Sequence, residues 1–135
     1  MALQYSTAVR NAKLDAVETT IGTSAVLKIR TGAPPANCGT ADSGTVLATC
    51  TLPSDWMAAA SGGTKSLSGT WQDTSADAAG TAAHFRIYDS GGTVCGMQGT
   101  VTATGGGGDM TVDNAVFASG QAFTVTSFTI TAGNS

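Results

Sequence analysis

Apolar residues between positions 6 and 21 recur at helical spacing. Leu14, Val17 and Ile21 fall at i, i+3 and i+7 with Val9, Ala12 and Ala16 beside them, while Arg10, Asn11, Asp15 and Glu18 take the other side. This pattern predicts one amphipathic helix. Ser6 or Thr7 can accept hydrogen bonds from the first free N–H groups, and Gly22 can close the last turn in a left-handed conformation. A single narrow apolar stripe has to be covered, either by the chain's own sheet or by a neighbouring subunit.

From Ser24 onward the period changes to two and β-branched residues accumulate, which predicts strands. Residues 25–31 form the first and stop at Gly32-Ala33-Pro34-Pro35. Residues 45–52 place Val46, Ala48, Cys50 and Leu52 on one face, and Pro53 ends them. Residues 65–72 put Leu67 and Trp71 on a common side. Residues 82–88 send Ala83, Phe85 and Ile87 inward and His84, Arg86 and Tyr88 outward. A Ser90-Gly91-Gly92 turn makes this strand and residues 93–101 a hairpin. Residues 110–112 are a short strand and 122–131 a long, Thr-rich one. In that last strand Phe123 and Val125 share one parity, Phe128 and Ile130 the other. A bulge near Thr126-Ser127 brings both pairs onto one face; burial of both faces is the alternative. Short strands joined by Gly/Ser/Ala/Asp turns predict a sandwich or small barrel.

The 135 residues suit one domain with one core, and 41% are hydrophobic. Only 11% are charged, against roughly 25% in ordinary soluble domains. A surface of Thr, Ser, Ala and Gly is weakly hydrated and repels neighbours poorly, so contact with other protein is easy. The formal net charge is −3, and six Lys/Arg scattered from Arg10 to Arg86 do not make the basic patch that nucleic acid requires. The opening residues lack a basic segment followed by an apolar one, so no secretory signal is expected. No apolar run approaches the ~18 residues of a membrane span. A soluble protein made in a cytosol, with neither a nucleic-acid nor a membrane partner, is the expectation.

Candidate chemistry is sparse. Nucleophilic or acid–base catalysis by a histidine would fall to His84, the chain's one histidine, which alternation puts on the less apolar face of its strand. Cys38, Cys50 and Cys95 have no CxxC spacing, so a zinc site is not expected. They read as buried or incidental thiols, with a Cys38–Cys50 disulfide or a bond across subunits as the alternative. Gly105-Gly106-Gly107-Gly108 precedes a strand rather than a helix and so reads as a flexible loop tip, not a phosphate cradle. Asp73 with Asp77, and Asp109 with Asp113, offer at most a weak calcium ligand set. Trp56, outside any strand in Pro53-Ser54-Asp55-Trp56-Met57, is expected to be a surface anchor for a partner. Trp56, Trp71 and Tyr88 are the candidates if the chain binds glycans. No catalytic residue, cofactor or metal ligand is assigned.

The segments "ALQYSTAVRNAKLDAVETTIGTSAVLKIRTG", "GTAAHFRIYDSGGTVCGMQGTV" and "GGGGDMTVDNAVFASGQAFTVTSFTITA" together resemble a family of small structural proteins from tailed-phage and prophage genomes, over nearly the whole chain. The resemblance implies a virion component, most like a capsid decoration (cement) protein on the outer face of the major capsid protein shell. Neck, collar or tail proteins and a glycan- or receptor-binding module are the alternatives. The expected architecture is mainly β: a helical arm over residues 1–22, then one antiparallel β-sandwich over 23–135, immunoglobulin-like or jelly-roll-like. The expected partners are copies of itself, as a homo-oligomer such as a trimer, and the major capsid protein. Inter-subunit contacts are expected at Leu3, Tyr5, the helix stripe (Val9, Leu14, Val17, Ile21) or Trp56.

Overall fold

In a computed structural model, which describes residues 3–132, the chain is mainly β with one N-terminal helix. Helix α1 spans Thr7–Ile21, and the Ser6 Oγ accepts from the Val9 N–H at 3.2 Å. Gly22, at φ +100°, donates its N–H to the Glu18 carbonyl. Both ends are therefore closed by the residue types the sequence supplies there.

Among the described residues ten strands follow: β1 (Val26–Arg30), β2 (Val46–Thr51), β3 (Thr64–Ser66), β4 (Gln72–Asp73), β5 (Gly80–Thr81), β6 (His84–Tyr88), β7 (Cys95–Ala103), β8 (Met110–Val112), β9 (Val116–Phe117) and β10 (Phe123–Thr131). The main sheet runs β2-β1-β6-β7-β8-β10-β3, with β4 also on β10, while β5 and β9 form a separate pair. All pairings are antiparallel except β7 with β8. The sheet curls so that its halves face one another. Phe85 of β6 meets Phe128 of β10 edge-on at 5.4 Å, and Trp71 packs on Phe128 at 5.5 Å. These rings join Leu27, Ile29, Leu47, Ile87, Met110 and Val125 in one buried cluster, as a two-layer fold requires. The outer edge of β2 is capped: the Thr49 N–H donates to Asp73 Oδ2, and the Asp77 N–H to the Leu47 carbonyl at 2.7 Å. A capped edge cannot recruit another strand.

Two irregularities are encoded locally. In β10 the register against β8 shifts between Val125 and Ser127, and Phe123, Val125 and Phe128 are all buried. The bulge expected from the parity change is present. By contrast, residues 65–72 are not one strand. They split into β3 and β4 around Ser68-Gly69-Thr70, because Gly69 adopts φ +73°, a left-handed conformation that interrupts a strand.

The tetraglycine is also not a loose tip. β7 and β8 run parallel, Val101 beside Met110 and Ala103 beside Val112, and the chain returns from one to the other between Thr104 and Asp109. Parallel neighbours normally need a crossover of about a dozen residues. Here Gly105 and Gly107 take φ +87° and +82°, while a Cβ on Gly106 or Gly108 would strike Thr102 at 2.7 and 2.9 Å. Two glycines supply the backbone angle and two the close approach. The Gly108 N–H donates to Thr102 Oγ1 and the Thr104 N–H to the Val112 carbonyl, closing the turn.

Candidate functional site

Helix α1 docks on its own chain, and with the side the sequence marks as polar. Residues 57–63 are irregular, so their backbone N–H groups lack a full ladder of partners. The helix supplies acceptors: Glu18 Oε2 for the Met57 N–H (3.0 Å), Asp15 Oδ1 for Ala60 (3.1 Å) and Asn11 Oδ1 for Gly63 (2.9 Å). Arg10 Nε donates to the Ala132 carbonyl. Lys65, only 3% exposed, places its ammonium 2.7 Å from Asp15 Oδ1 and 3.0 Å from Glu18 Oε1, and donates to the Ala58 carbonyl. Leu14 lies buried on this docked side. Hydrogen bonding from Lys65 and from the Ala60 N–H holds the Asp15 carboxyl below the usual carboxylate range.

The opposite side of the helix is only partly covered: Ile21 packs against the core beside Gly96 and Val17 is half-buried, while the rest faces out. Lys13, Ala16, Val17, Thr20 and Ile21 form one wall of an open groove of about 550 Å³, and Val94, Cys95 and Gly96 of the β6–β7 hairpin form the other. Leu3, Val9, Val94 and Val116 are exposed outright. The ring of Tyr5 is half-buried, with Lys13 Nζ 4.2 Å from its centre.

Alternation puts His84, Arg86 and Tyr88 on the non-core face of β6, yet all three are buried. His84, expected on the outward face of its strand as a surface or interface histidine, is instead covered within the chain, because residues 32–45 fold over this face. Asp42, from that cover, accepts from Arg30 Nη2 (3.0 Å), Arg86 Nη1 (2.7 Å) and the Tyr88 hydroxyl (2.6 Å). Arg86 Nη2 donates to the Asn37 and Thr40 carbonyls, its Nε to Gln98 Oε1, and Gln98 Nε2 to the Pro35 carbonyl. His84 Nδ1 lies 2.7 Å from the Gly32 carbonyl. A carbonyl can only accept, so Nδ1 carries the hydrogen. Among the described residues neither His84 Nε2 nor Arg30 Nε has a partner. The Tyr88 hydroxyl first, then the two guanidiniums, hold the Asp42 carboxyl below its ordinary range against the opposing effect of burial. This network fastens a loop to a sheet.

The tryptophans are core residues, which corrects the expectation of a surface anchor at Trp56. Trp56 is 0% exposed, donates from Nε1 to the Gly22 carbonyl and packs at a tilt, ring centres 5.9 Å apart, against Trp71, which donates to the Trp56 carbonyl. Their rings have no face for a sugar. The carboxylate pairs close turns: Asp109 Oδ2 accepts from the Thr100 N–H and hydroxyl, and Asp113 Oδ1 from the Thr124 N–H. Among the described residues no group of three or more His, Cys, Asp or Glu could hold a metal ion.

The cysteines pair differently from the alternative the sequence raised. Cys50 is buried in the core, where burial pushes its thiol up to about 12. Cys38 lies against Cys95 instead, Sγ to Sγ 2.9 Å, all three being free thiols. No spacing in the sequence signals that contact, since the residues are 57 positions apart.

Comparison with protein-family models, with curated proteins and with solved structures returned no match. The class defined by the fold is thus a mainly β domain with an N-terminal helix and a mostly antiparallel sheet. No helix among the described residues is long and apolar enough to cross a membrane.

Proposed function

We propose that this chain is a non-catalytic structural protein of a tailed-phage particle, a capsid decoration protein that attaches to the outer face of the major capsid shell as a homo-oligomer. The observation that carries the reading is apolar surface left outside after folding: the groove between the outer helix side and the hairpin, with Leu3, Val9 and Val94 exposed. It lies on a chain with only 11% charged residues, so little like-charge repulsion opposes contact. Of the residues expected at the contact, Leu3 and Val9 are exposed and Val17 is half-exposed along the groove, whereas Ile21 packs partly against the core and Leu14 and Trp56 are used inside. Repetition on a symmetric shell turns modest single contacts into firm attachment, and a trimer suits threefold positions.

The test is sedimentation of the purified chain with undecorated capsids. Co-pelleting at micromolar concentration, weakened at least tenfold by Val17→Asp or Val94→Asp with unchanged circular dichroism, supports the reading. No co-pelleting refutes it.

A further inference from the structure

The Cys38–Cys95 contact is built from both sides. Cys38 sits in a tight turn in which the Thr40 N–H donates to the Asn37 carbonyl and the Gly39 N–H to Asn37 Oδ1. Arg86, from the neighbouring strand, grips that turn through the Asn37 and Thr40 carbonyls. Gln98, on the strand that carries Cys95, holds the Pro35 carbonyl just upstream. Cys95 itself begins β7, paired with Tyr88, and its thiol reaches both Cys38 Sγ and the Met97 carbonyl. Neither sulfur depends on a mobile side chain to find the other. A disulfide spans ~2.05 Å, so closing the 2.9 Å gap moves each sulfur by less than about half an ångström.

We infer that Cys38 and Cys95 are a disulfide-forming pair that, once oxidised, locks the 32–45 cover onto the Arg30–Arg86–Tyr88 face. The oxidant is a small-molecule disulfide. Cys38, on the loop, loses its proton and attacks one sulfur of that disulfide, forming a mixed disulfide and releasing one thiol. Cys95 then loses its proton and attacks Cys38 Sγ, and the second small thiol leaves. Two protein thiols become one disulfide, and one disulfide becomes two small thiols, so protons and electrons balance. Burial, followed by the contact with Cys38, pushes the Cys95 thiol up to about 12, which makes it the slower second partner rather than the first attacker. Cys50 takes no part. The bond forms whatever particle the chain occupies.

The folded full-length chain is incubated with oxidised glutathione, then denatured, alkylated and weighed. The expected product carries one alkylated cysteine in place of three, and trypsin leaves residues 31–65 joined to residues 87–135. Cys50→Ser still forms the link, while Cys38→Ser and Cys95→Ser do not. The oxidised chain is expected to melt higher by on the order of 10 °C, reversed by dithiothreitol. Three reactive thiols after oxidation, or a link that survives Cys38→Ser, overturn the pairing. An unchanged melting temperature in the linked protein overturns the lock.

Discussion

Replacing Asp42 by alanine tests the reasoning behind the covered face. The substitution leaves Arg30 and Arg86, with side chains 8% and 2% exposed, without their shared carboxylate, and removes an acceptor from Tyr88. Breaking a fully buried ion pair costs ~3–5 kcal/mol, whereas an exposed pair contributes ~0–1 kcal/mol. Asp42 lies between these limits, because its own side chain is 41% exposed and water can enter where it leaves. Arg86 also keeps the Asn37 and Thr40 carbonyls and Gln98. The expected loss is therefore about 2–3 kcal/mol, or ~1–2 M in the urea midpoint at unchanged slope. Asp42→Asn, with the shape kept and the charge removed, should lose nearly as much. The effect has a defined pH sense. The folded-state carboxyl titrates lower than the unfolded one, so its stabilisation is complete above the unfolded pKa of ~3.9 and vanishes as pH falls through the lower folded value. Wild type and variant should thus converge once the pH has fallen below that folded value. A variant within about 0.5 kcal/mol of wild type at pH 7 refutes the claim that this carboxylate fastens the cover.

Further outcomes follow from particular contacts. Gly44→Ala places a Cβ into the Thr31 carbonyl oxygen at φ +77°, and should destabilise by about 3 kcal/mol in a thermal melt. Trp56→Ala should cost ~3–5 kcal/mol in chemical denaturation, as expected of a core ring, with capsid co-sedimentation of the folded fraction unchanged. Asp15, lowered mainly by its hydrogen bond from Lys65, contributes stability above the unfolded carboxylate pKa and loses it as pH falls through its folded value. Hydrogen exchange at the Met57, Ala60 and Gly63 amides should accelerate there before exchange in β1 and β6; simultaneous loss contradicts helix docking through carboxylates.

The features legible in the sequence are those written by neighbours in the chain. Ser6 and Gly22 mark the helix ends because capping is local chemistry. The parity break between Val125 and Phe128 marks the bulge because a strand has only two faces. Alternation also holds within β6, where Phe85 and Ile87 face the core and His84, Arg86 and Tyr88 do not, but it fails just before the strand, where Ala82 and not Ala83 fills the core. Residue type could not reveal that a segment some fifty positions upstream covers that second face. The helix misled in the same way. Its apolar stripe docks only in part, Ile21 packing on the core and Val17 staying half-exposed, because irregular residues 57–63 needed acceptors and Asn11, Asp15 and Glu18 provide them. Trp56 sits outside a strand and yet reaches the core, since burial follows the path of the chain in space. The Cys38–Cys95 contact depends on that same cover and is equally invisible to spacing.

The four-glycine return between β7 and β8 has a consequence for anyone who wishes to graft a peptide onto this protein. A run of glycines usually invites insertion, but here the turn's length sets the alignment of Met110–Val112 against Val101–Ala103. Shifting that alignment by one position would turn Met110 and Val112 away from the apolar core and Thr111, buried on the other face, toward it. Thr111 would then leave the hydroxyl partners it has on Thr126 and Ser127. Cargo belongs elsewhere on the molecule, because at these glycines an added residue rewrites which side chains are inside.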